Sequence, residues 1–455
     1  MKNKIIKILI PVILICTLFA GCSETFNSVD SLIRPPKLSG ENRLLQKAFE
    51  TSVADGKSII LKTPIQGNDR SSYLLCDIDH DGSNEAIVFY SNPVVDDYVN
   101  MSIFKYENSD WIFLSTVRGN GEEIIEVDFA DINGDNVYEL IISWANSNKI
   151  DASKDSIFGY TGDKVISIYS FNKETLDLIK SFPYSNMFPH DLNGNGSDEL
   201  MFIDIDLSKD NRRTSVKIVS FDEQYNTINI PEINLSNIIE ILNVSYDVIE
   251  KNNKKFTRVF VDGSVNDSAV ITDIILLDCE TMEITLPLAE INSSDSPLTI
   301  RNNKITCADI NGDGFIEIPM QENLPSNMDN IEYDGNIIPV NLTVWKALND
   351  LELVTIKKCI YNNYQSFLFE FPDEWIGKVS VLYNRSEEAF YFYKYDGIDN
   401  VALFSIKSFS DLKWNNDRAG YTKLSSSDTT VVGYKLYNNA FVKPDEIENY
   451  FEILN

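Results

Sequence analysis

The sequence is poor in the residues on which most nucleophilic enzymes depend. Histidine occurs only twice in 455 residues, at His80 and His190. Catalysis by a serine or cysteine nucleophile normally needs a neighbouring histidine base, and we interpret both histidines as solvated neighbours of acidic loops. The G-x-S-x-G, P-loop and H-E-x-x-H motifs are also absent from the sequence. We therefore predict no catalytic residues and expect that the protein is not an enzyme.

Basic residues are a minority. The chain has 39 Lys and Arg against 69 Asp and Glu, a net charge of −30. Such a chain repels polyanions, so nucleic acid and anionic lipid headgroups are poor direct partners. Part of the acidity lies in loops that bound cations would neutralise.

Closely spaced cysteines are lacking as well. Cys76, Cys279, Cys307 and Cys359 show none of the C-x-x-C spacings of zinc or redox sites. We interpret them as separate small core residues. A disulfide stays open, with Cys76 and Cys307 as the candidate pair because both precede an acidic loop.

The N-terminus carries an uncharged run, residues 8–20, that follows three lysines and is too short to span a bilayer. This layout is typical of a secretory signal peptide. The end of the run, LFAGC, resembles a bacterial lipobox, which implies a signal peptide over residues 1–21, lipidation of Cys22 and a tether over residues 22–40. Plain secretion and an uncleaved anchor are the alternatives. We expect an extracytoplasmic protein, lipid-anchored to the bacterial cell membrane, where two acyl chains give stable attachment.

Oxygen-bearing side chains recur at fixed offsets in four loops, with Asp or Asn at positions 1, 3 and 5 and Glu at position 9. The loop residues are Asp77, Asp79, Asp81 and Glu85; Asp131, Asn133, Asp135 and Glu139; Asp191, Asn193, Asn195 and Glu199; and Asp309, Asn311, Asp313 and Glu317. Together with a backbone carbonyl near position 7, these are the oxygen ligands that Ca²⁺ prefers. One isolated loop of this kind is usually a solvated turn, but four with the same offsets favour structural calcium sites.

The spacing also identifies the type of calcium loop. An EF-hand needs Glu at position 12, whereas these loops have Val88, Ile142, Phe202 and Met320 there. Apolar runs before and after each loop predict the order strand, loop, strand. The pattern resembles the FG-GAP or VCBS-type repeats of integrin alpha propellers, and most of the chain resembles VCBS-repeat lipoproteins of Gram-positive bacteria. The resemblance implies a calcium-binding β-propeller in the cell envelope and names no activity.

A second repeated element lies between the loops. Alternating apolar stretches broken by a polar turn, a hairpin signal, occur at residues 102–114, 165–179, 216–230, 273–286 and 342–356. Five such hairpins against four loops indicate one repeat without a metal loop. We place it at the lysine-rich residues 250–255 and interpret these as a solvated turn, with lysines replacing some of the charge as the alternative. The predicted fold is mainly β, a β-propeller of about five four-stranded blades over residues 41–357.

The chain after the last repeat has a different character. Dense aromatics at residues 367–371, 379–383, 390–395 and 401–406 predict a small α+β domain over residues 358–455 with a separate antiparallel sheet and a closing helix near residues 444–453. The phrase FLFEFPDEWIGKV resembles the opening hairpin of PsbP-like domains. Aromatic stripes at strand spacing are usually core. Tyr391, Tyr393 and Tyr395 are the exception to examine, because alternate residues face one side of a strand.

Two functions of different classes remain. The preferred one is a non-catalytic, calcium-stabilised lipoprotein that binds or scaffolds an envelope protein or glycan. The alternative is a propeller hydrolase or lyase acting on extracellular polysaccharide, which needs close acidic residues of raised pKa outside the metal loops.

The loop assignment yields a stability test. Asp309→Ala removes a carboxylate ligand, so we expect a melting temperature lower by a few degrees in calcium and almost unchanged in chelator. Lys254→Ala, in the repeat without a metal loop, should leave the calcium dependence unaltered. Differential scanning calorimetry in calcium and in EDTA measures both. A melting temperature indifferent to calcium would contradict the structural-metal interpretation.

Overall fold

The computed structural model describes residues 41–54, 57–145, 164–206, 213–229, 232–292, 297–325, 336–362, 367–396, 400–426 and 430–453. The predicted signal peptide (1–21), Cys22 and the tether (22–40) lie outside the described residues. The chain divides into two compact units. The first contains the described residues up to Lys62, Ser71–Asp77 and Asp81–Gly119, and the second contains Thr63–Arg70, Ile78–His80 and the residues from Asn120 onward.

The first unit has one sheet and one helix. Its elements are α1 (Glu41–Phe49), a π-helical turn (Glu50–Ala54), β1 (Ile60–Leu61), β2 (Tyr73–Cys76), β3 (Glu85–Asn92), β4 (Asp96–Glu107) and β5 (Asp110–Arg118). The antiparallel order is β1-β3-β4-β5, with β2 also pairing with β3. Leu45, Phe49 and Val53 recur every four residues, so they form one apolar face that packs on the sheet. The Phe49 ring meets the Tyr90 ring edge-on at 5.3 Å.

The second unit begins with three four- or five-stranded antiparallel sheets. The first sheet contains β6 (Glu123–Ala130), β7 (Glu139–Ala145), β8 (Lys164–Phe171) and β9 (Leu176–Tyr184). The second contains β10 (Asn186–His190), β11 (Glu199–Asp206), β12 (Arg213–Phe221), β13 (Thr227–Asn229) and β14 (Ile233–Leu235). The third contains β15 (Glu240–Lys251), β16 (Lys254–Ser264), β17 (Val270–Asp278) and β18 (Ile284–Thr285). The short helix α2 (Ala289–Asn292) follows.

Two further sheets complete the described chain. The elements are β19 (Glu317–Glu322), β20 (Ile337–Pro339), β21 (Leu342–Asn349), β22 (Glu352–Asn362), β23 (Phe367–Glu370), a 3-10 turn (Asp373–Trp375), β24 (Val379–Asn384), β25 (Ala389–Tyr395), β26 (Asn400–Ser410), α3 (Asp411–Asn416), β27 (Thr422–Ser426), β28 (Thr430–Leu436), α4 (Pro444–Asn449) and β29 (Phe451–Ile453). One sheet has the order β19-β21-β22-β23-β29 and the other β20-β24-β25-β26-β28-β27.

The prediction of a mainly β protein with several antiparallel sheets is confirmed. The five predicted second hairpins are present as β4–β5, β8–β9, β12–β13, β17–β18 and β21–β22. The strands that follow the acidic loops begin with a run of buried residues, and β3 and β7 are buried along nearly their whole length. Burial on both faces explains why these strands have continuous apolar runs and no alternation.

Consecutive sheets of the second unit pack face to face. Ile141 and Ile166 of one sheet contact Leu200 and Val219 of the next in one apolar cluster. Equivalent clusters join the β10–β14 sheet to the β15–β18 sheet and the latter to β19 and β21. In the described residues each of these repeats therefore buries apolar surface with its neighbours in sequence, an arrangement found in repeat proteins.

The end of the chain is more closely joined to the last repeat than we expected. The predicted boundary between residues 357 and 358 falls inside β22. β23 and β29 extend the sheet of the last repeat, and β20, which precedes that boundary, pairs with β24 of the six-stranded sheet. The expected helix over residues 444–453 ends at Asn449, because Phe451–Ile453 pairs with β23.

Among the described helices, none combines the length and apolarity needed to cross a membrane.

Candidate functional site

The first Asp of each acidic loop organises the turn. Asp131 accepts hydrogen bonds from the backbone N–H groups of Gly134 at 2.8 Å and Asn136 at 2.9 Å. The loops that begin at Asp191 and Asp309 repeat these bonds at positions 4 and 6. Positions 4 and 6 have positive φ, a conformation that favours Gly or Asn. In the first loop the residue at position 4 is His80, which also has positive φ. Its Nδ1 lies 2.8 Å from the Asn136 carbonyl oxygen.

The Glu at position 9 closes each loop from inside the sheet. Glu139, Glu199 and Glu317 are at most 1% exposed. One oxygen of each accepts the backbone N–H of loop position 2, at 3.0, 2.9 and 3.0 Å. Position 9 therefore brings a buried carboxylate directly beneath the turn, as the sequence spacing predicts.

The second carboxylate oxygen has a different environment in each loop. Glu139 Oε1 accepts from the Tyr225 hydroxyl at 2.6 Å, and Glu199 Oε1 accepts from the Asn193 amide at 2.7 Å. Glu317 Oε1 is buried and has no hydrogen-bond partner. A buried anionic oxygen without a partner carries a large desolvation cost, and a cation held by the Asp309 loop would remove it.

The first loop brings its carboxylates closest together. One oxygen from each of Asp77, Asp79 and Glu85 lies within 4.8 Å of the others. Asp77 Oδ1 is buried and lacks a hydrogen-bond partner. Lys105 Nζ lies 2.7 Å from Asp81 Oδ2 and 3.6 Å from Glu85 Oε1, so a lysine ammonium already supplies part of the positive charge there. This donor set fits a hard divalent cation.

Burial is the main electrostatic feature of the position 9 residues. It raises the pKa of Glu139 and of Glu199 to about 7, and the nearby Asp residues of the same loops reinforce the rise. The pKa of Glu317 moves in the same direction for the same cause. A bound cation would supply the opposite charge that keeps such carboxylates ionised.

The fourth repeat replaces the acidic loop with a continuous hairpin and a buried ion pair. β15 runs directly into β16 through a turn at Asn252 and Asn253, both with positive φ. Arg258 Nε and Nη2 donate to Asp247 at 2.6 and 2.5 Å, and Nη1 donates to the Leu348 carbonyl at 2.9 Å. The pair is almost fully buried.

Arg258 occupies the place that Glu has in the other repeats. Asp247 and Arg258 are register partners, as His190 and Glu199 are in the preceding sheet. Arg258 also precedes an apolar run, as Glu139 does. A guanidinium therefore provides the positive charge in this repeat. The lysines of the predicted solvated turn at residues 250–255 make peripheral pairs, Lys251 with Asp350 and Lys254 with Asp278.

Residues at loop position 8 connect each repeat to the previous one. The Tyr138 N–H donates to the Ile78 carbonyl at 2.9 Å, and the Asp198 N–H donates to the Asp131 carbonyl at 2.7 Å. The Thr257 hydroxyl donates to the Leu192 carbonyl at 2.6 Å, and the Ile316 N–H donates to Asp247 Oδ2 at 2.8 Å. The order of each loop thus depends on its neighbour.

A cleft lies at the end of the β15–β18 sheet opposite the Asn252 turn. Its volume is about 870 Å³ and its lining includes Asn234, Ser236, Asn266, Asp273, Glu290 and Asn292. Asp273 is 5% exposed and accepts from the Ser236 N–H at 2.6 Å and the Ser236 hydroxyl at 2.9 Å. Burial raises the pKa of this carboxyl. Glu290 is exposed on α2.

The sequence did not single out this cleft. Its residues come from the connection before β15, from β17 and from α2, which are distant in sequence. The Asn and Ser content of residues 234–237 was the available signal, and it resembles any polar loop. The four predicted core cysteines form no disulfide with one another, and Cys307 and Cys359 are buried.

A second acidic group outside the loops lies on β6. Burial raises the pKa of Asp128 to about 7, and the nearby negative charges of Glu126 and Asp69 add to the rise. Gln66 Nε2 donates to Glu126 Oε2 at 3.1 Å. The pKa of Asp128 in the folded state lies above its unfolded value of about 3.9. Asp128 therefore contributes to the stability of the fold at low pH, and this contribution is lost as the pH rises toward 7.

Comparison with known proteins gives limited similarity. No protein-family model matches the chain. The rhamnogalacturonan endolyase YesW of Bacillus subtilis (strain 168) is 34% identical over 87 residues. This match covers 18% of the chain and 14% of the endolyase, so the chain spans only a small part of that enzyme.

Three solved structures illustrate the structural similarity, and all three have low TM-scores. A functionally unknown protein from Desulfotomaculum acetoxidans has a TM-score of 0.30 at 13% identity, covering 70% of this chain and 84% of that one. An endo-arabinase from Bacteroides thetaiotaomicron has a TM-score of 0.26 at 8% identity, covering 58% and 93%. A levansucrase variant of B. subtilis has a TM-score of 0.25 at 9% identity, covering 70% and 86%. Scores this low assign neither fold nor function.

The prediction that the protein is not an enzyme is corrected by these comparisons. The curated protein that shares a segment with this chain is an endolyase. The prediction rested on scarce histidines and absent nucleophile motifs, which exclude only those chemistries. Carboxylate pairs need no sequence motif, because they depend on spatial proximity alone.

The ion pair of the fourth repeat can be tested by Arg258→Met. The variant leaves Asp247 buried without its charge partner, so we expect a loss of about 3–5 kcal/mol in the free energy of unfolding. The loss should be equal in calcium and in EDTA. Arg213→Met, which breaks an exposed pair with Glu232, is the control and should cost at most about 1 kcal/mol. Urea denaturation measures both. A calcium-dependent loss would contradict the assignment.

The raised pKa of Asp128 predicts a pH-dependent effect of Asp128→Asn. At pH 8 the Asp128 carboxylate is ionised although it is partly buried, which destabilises the folded state. The variant removes this charge, so the free energy of unfolding should rise by about 1–2 kcal/mol. At pH 5 wild-type Asp128 is already protonated in the folded state and the gain should shrink. Urea denaturation at both pH values measures it, with exposed Asp97→Asn as control. An equal gain at both pH values would contradict the raised pKa.

Proposed function

We propose that the protein is an extracytoplasmic enzyme that cleaves a polysaccharide. In this proposal it consists of calcium-stabilised propeller repeats of the FG-GAP or VCBS type, anchored through lipid on Cys22. The observation that carries the proposal is the cleft with one carboxylate buried in its lining and a second exposed on α2. The segment shared with a rhamnogalacturonan endolyase supports it.

The size and lining of the cleft suit an oligosaccharide. Ligand sites commonly have volumes of about 300–1,000 Å³, and this cleft has about 870 Å³. Amide and hydroxyl groups of Asn234, Ser236 and Asn266 line it. Such groups both donate and accept hydrogen bonds, as sugar hydroxyls do.

The two carboxylates have environments that divide acid from base. Asp273 is buried and its pKa is raised by burial, so it is suited to hold a proton and act as general acid. Glu290 is exposed to solvent and is suited to act as general base. Two carboxyl groups with different environments are the usual machinery of glycoside cleavage.

The same pair supports either of two reactions. In hydrolysis, Asp273 gives its proton to the glycosidic oxygen as the C–O bond breaks, while Glu290 takes a proton from the attacking water. In elimination, Glu290 removes the proton next to a uronate carboxylate, and the leaving oxygen receives the proton from Asp273 as a carbon–carbon double bond forms.

The acidic loops have a structural role in this proposal. Asp309, Asn311, Asp313 and Glu317 would hold Ca²⁺ in the last loop, where the buried and unpartnered Glu317 oxygen supports the assignment. The residues of the three other loops would hold it in the same way. Bound calcium would keep the buried carboxylates ionised and fix the ends of the stacked sheets.

Glu290→Gln and Asp273→Asn test the catalytic assignment. Each variant should lower the rate of polysaccharide cleavage by about 10²–10⁴-fold, the usual contribution of an acid or base. Glu283→Gln changes an exposed carboxylate at the opposite end of the sheet and should retain full rate. Reducing-end release reports both reactions, and ultraviolet absorbance of an unsaturated product reports elimination alone. Circular dichroism checks folding.

The outcome is decisive for this pair of residues. Asp273 accepts hydrogen bonds from Ser236, so its variant can fail by unfolding. Glu290 is exposed, and its variant gives a clean result. If wild-type protein cleaves none of a panel of acidic and neutral polysaccharides, or if Glu290→Gln retains full rate, the proposal is wrong.

A further inference from the structure

We propose that the outer face of the six-stranded C-terminal sheet is a binding surface for an acidic polysaccharide. This inference uses residues far along the chain from the cleft and goes beyond the proposed cleavage. The surface consists of Tyr391, Tyr393 and Tyr437 together with an adjoining hollow beside α3.

The strand alternation separates this face from the core. Phe390, Phe392 and Phe404 point into the apolar cluster beneath the sheet. Tyr391 and Tyr393 alternate with them on β25, and Tyr391 is paired in register with Ser405 of β26. These tyrosines therefore lie on the opposite side of the sheet, as the sequence pattern allows.

Three tyrosine rings follow one another on this face in similar orientation. The Tyr391 ring centre is 6.3 Å from that of Tyr393 and 6.4 Å from that of Tyr437, with interplanar angles of 27° and 16°. Tyr437 is 43% exposed. Ser405 Oγ lies 2.9 Å from the Tyr421 hydroxyl and 3.1 Å from the Tyr437 hydroxyl. The Tyr437 ring is thus held in place before any ligand binds.

The adjoining hollow supplies positive charge. It has a volume of about 470 Å³, and its lining includes Lys407, Lys413, Leu412 and Tyr421. Leu412 is 77% exposed. Lys435 Nζ lies 5.8 Å from the centre of the Tyr437 ring and donates to the Ala419 carbonyl at 3.1 Å. Lysines gathered beside exposed apolar surface are unusual in a chain with a net charge of −30.

This face also carries acidic groups. Asp417 also lines the hollow, and Glu387 accepts a hydrogen bond from the Tyr391 hydroxyl. Both are exposed. The lysines of the hollow outnumber its single carboxylate, so an anionic ligand is favoured here.

The chemistry of this face matches a sugar acid. The C–H face of a pyranose packs on aromatic rings, which carry negative charge on their faces. A carboxylate on the same sugar unit can pair with a lysine ammonium. An acidic polysaccharide offers both groups in every unit, whereas a neutral glycan lacks the charge and a simple polyanion lacks the ring.

Three polymers distinguish these possibilities. The full chain carrying Glu290→Gln, which keeps the polymer uncut, is titrated with alginate, dextran and polyglutamate at low ionic strength. We expect binding to alginate, at least tenfold weaker binding to dextran and polyglutamate, and weaker binding to alginate at high salt because exposed charges are screened. Equal binding to alginate and polyglutamate would show charge attraction alone and overturn the inference.

Variants locate the surface. Tyr437→Ala should weaken alginate binding about tenfold, an effect typical of losing one aromatic contact, whereas Tyr437→Phe keeps the ring and should bind nearly as wild type. Lys413→Ser should weaken binding by a similar factor. Lys173→Ser, an exposed lysine in the β8–β9 turn, is the control. Unchanged binding in both Tyr437→Ala and Lys413→Ser overturns the inference.

The result can be separated from the outcome for cleavage. If alginate binding depends on Tyr437 and no cleavage is detected, the inference of a binding surface stands and only the proposed enzymatic activity is contradicted. Turnover that is lost in Glu290→Gln, combined with no binding at the tyrosine face, contradicts only the surface.

Discussion

A negative charge buried at the base of each hairpin is the constraint on which the repeats depend. Glu139, Glu199 and Glu317 lie between stacked sheets, where an ionised carboxylate is costly without compensation. In each of these loops one oxygen of the Glu accepts the backbone N–H of position 2, and the environment of the second oxygen differs between loops. In the fourth repeat the same row holds Asp247 opposite Arg258. The compensation therefore varies between repeats, while the packing of one sheet on the next does not.

Much of this arrangement could be predicted from residue spacing. The position of Glu at the ninth residue followed by an apolar run determines a loop that turns back onto a buried strand, and the structure has this geometry at Glu139 and Glu199. Alternation located the second hairpins for the same reason, since a strand with one exposed face has a period of two. The propeller, the calcium and the lipid anchor remain proposals.

Other features depend on strand register, which the sequence does not specify. The sequence predicts a solvated turn near residue 254, with lysines replacing the missing charge as the alternative. Arg258 has the charge role, because it lies opposite Asp247 across the β15–β16 pair. The apolar run after Arg258 carried this information, because a Glu precedes the same run in the other repeats. The cleft was not predicted for a related reason: Ser236, Asp273 and Glu290 line one cleft only after the connection before β15, strand β17 and helix α2 pack together. Scarce histidine therefore excludes only chemistry that depends on histidine.

Arg258 also bears on how such repeats diversify. The fourth repeat differs from its neighbours both in this row, where Arg258 faces Asp247, and in its turn, where β15 runs directly into β16. The neighbouring sheets still pack, and the Ile316 N–H still finds an acceptor in Asp247. The positive charge of this repeat is therefore part of the chain itself, and under the proposed calcium binding this repeat would keep its buried carboxylate compensated in a medium without the ion.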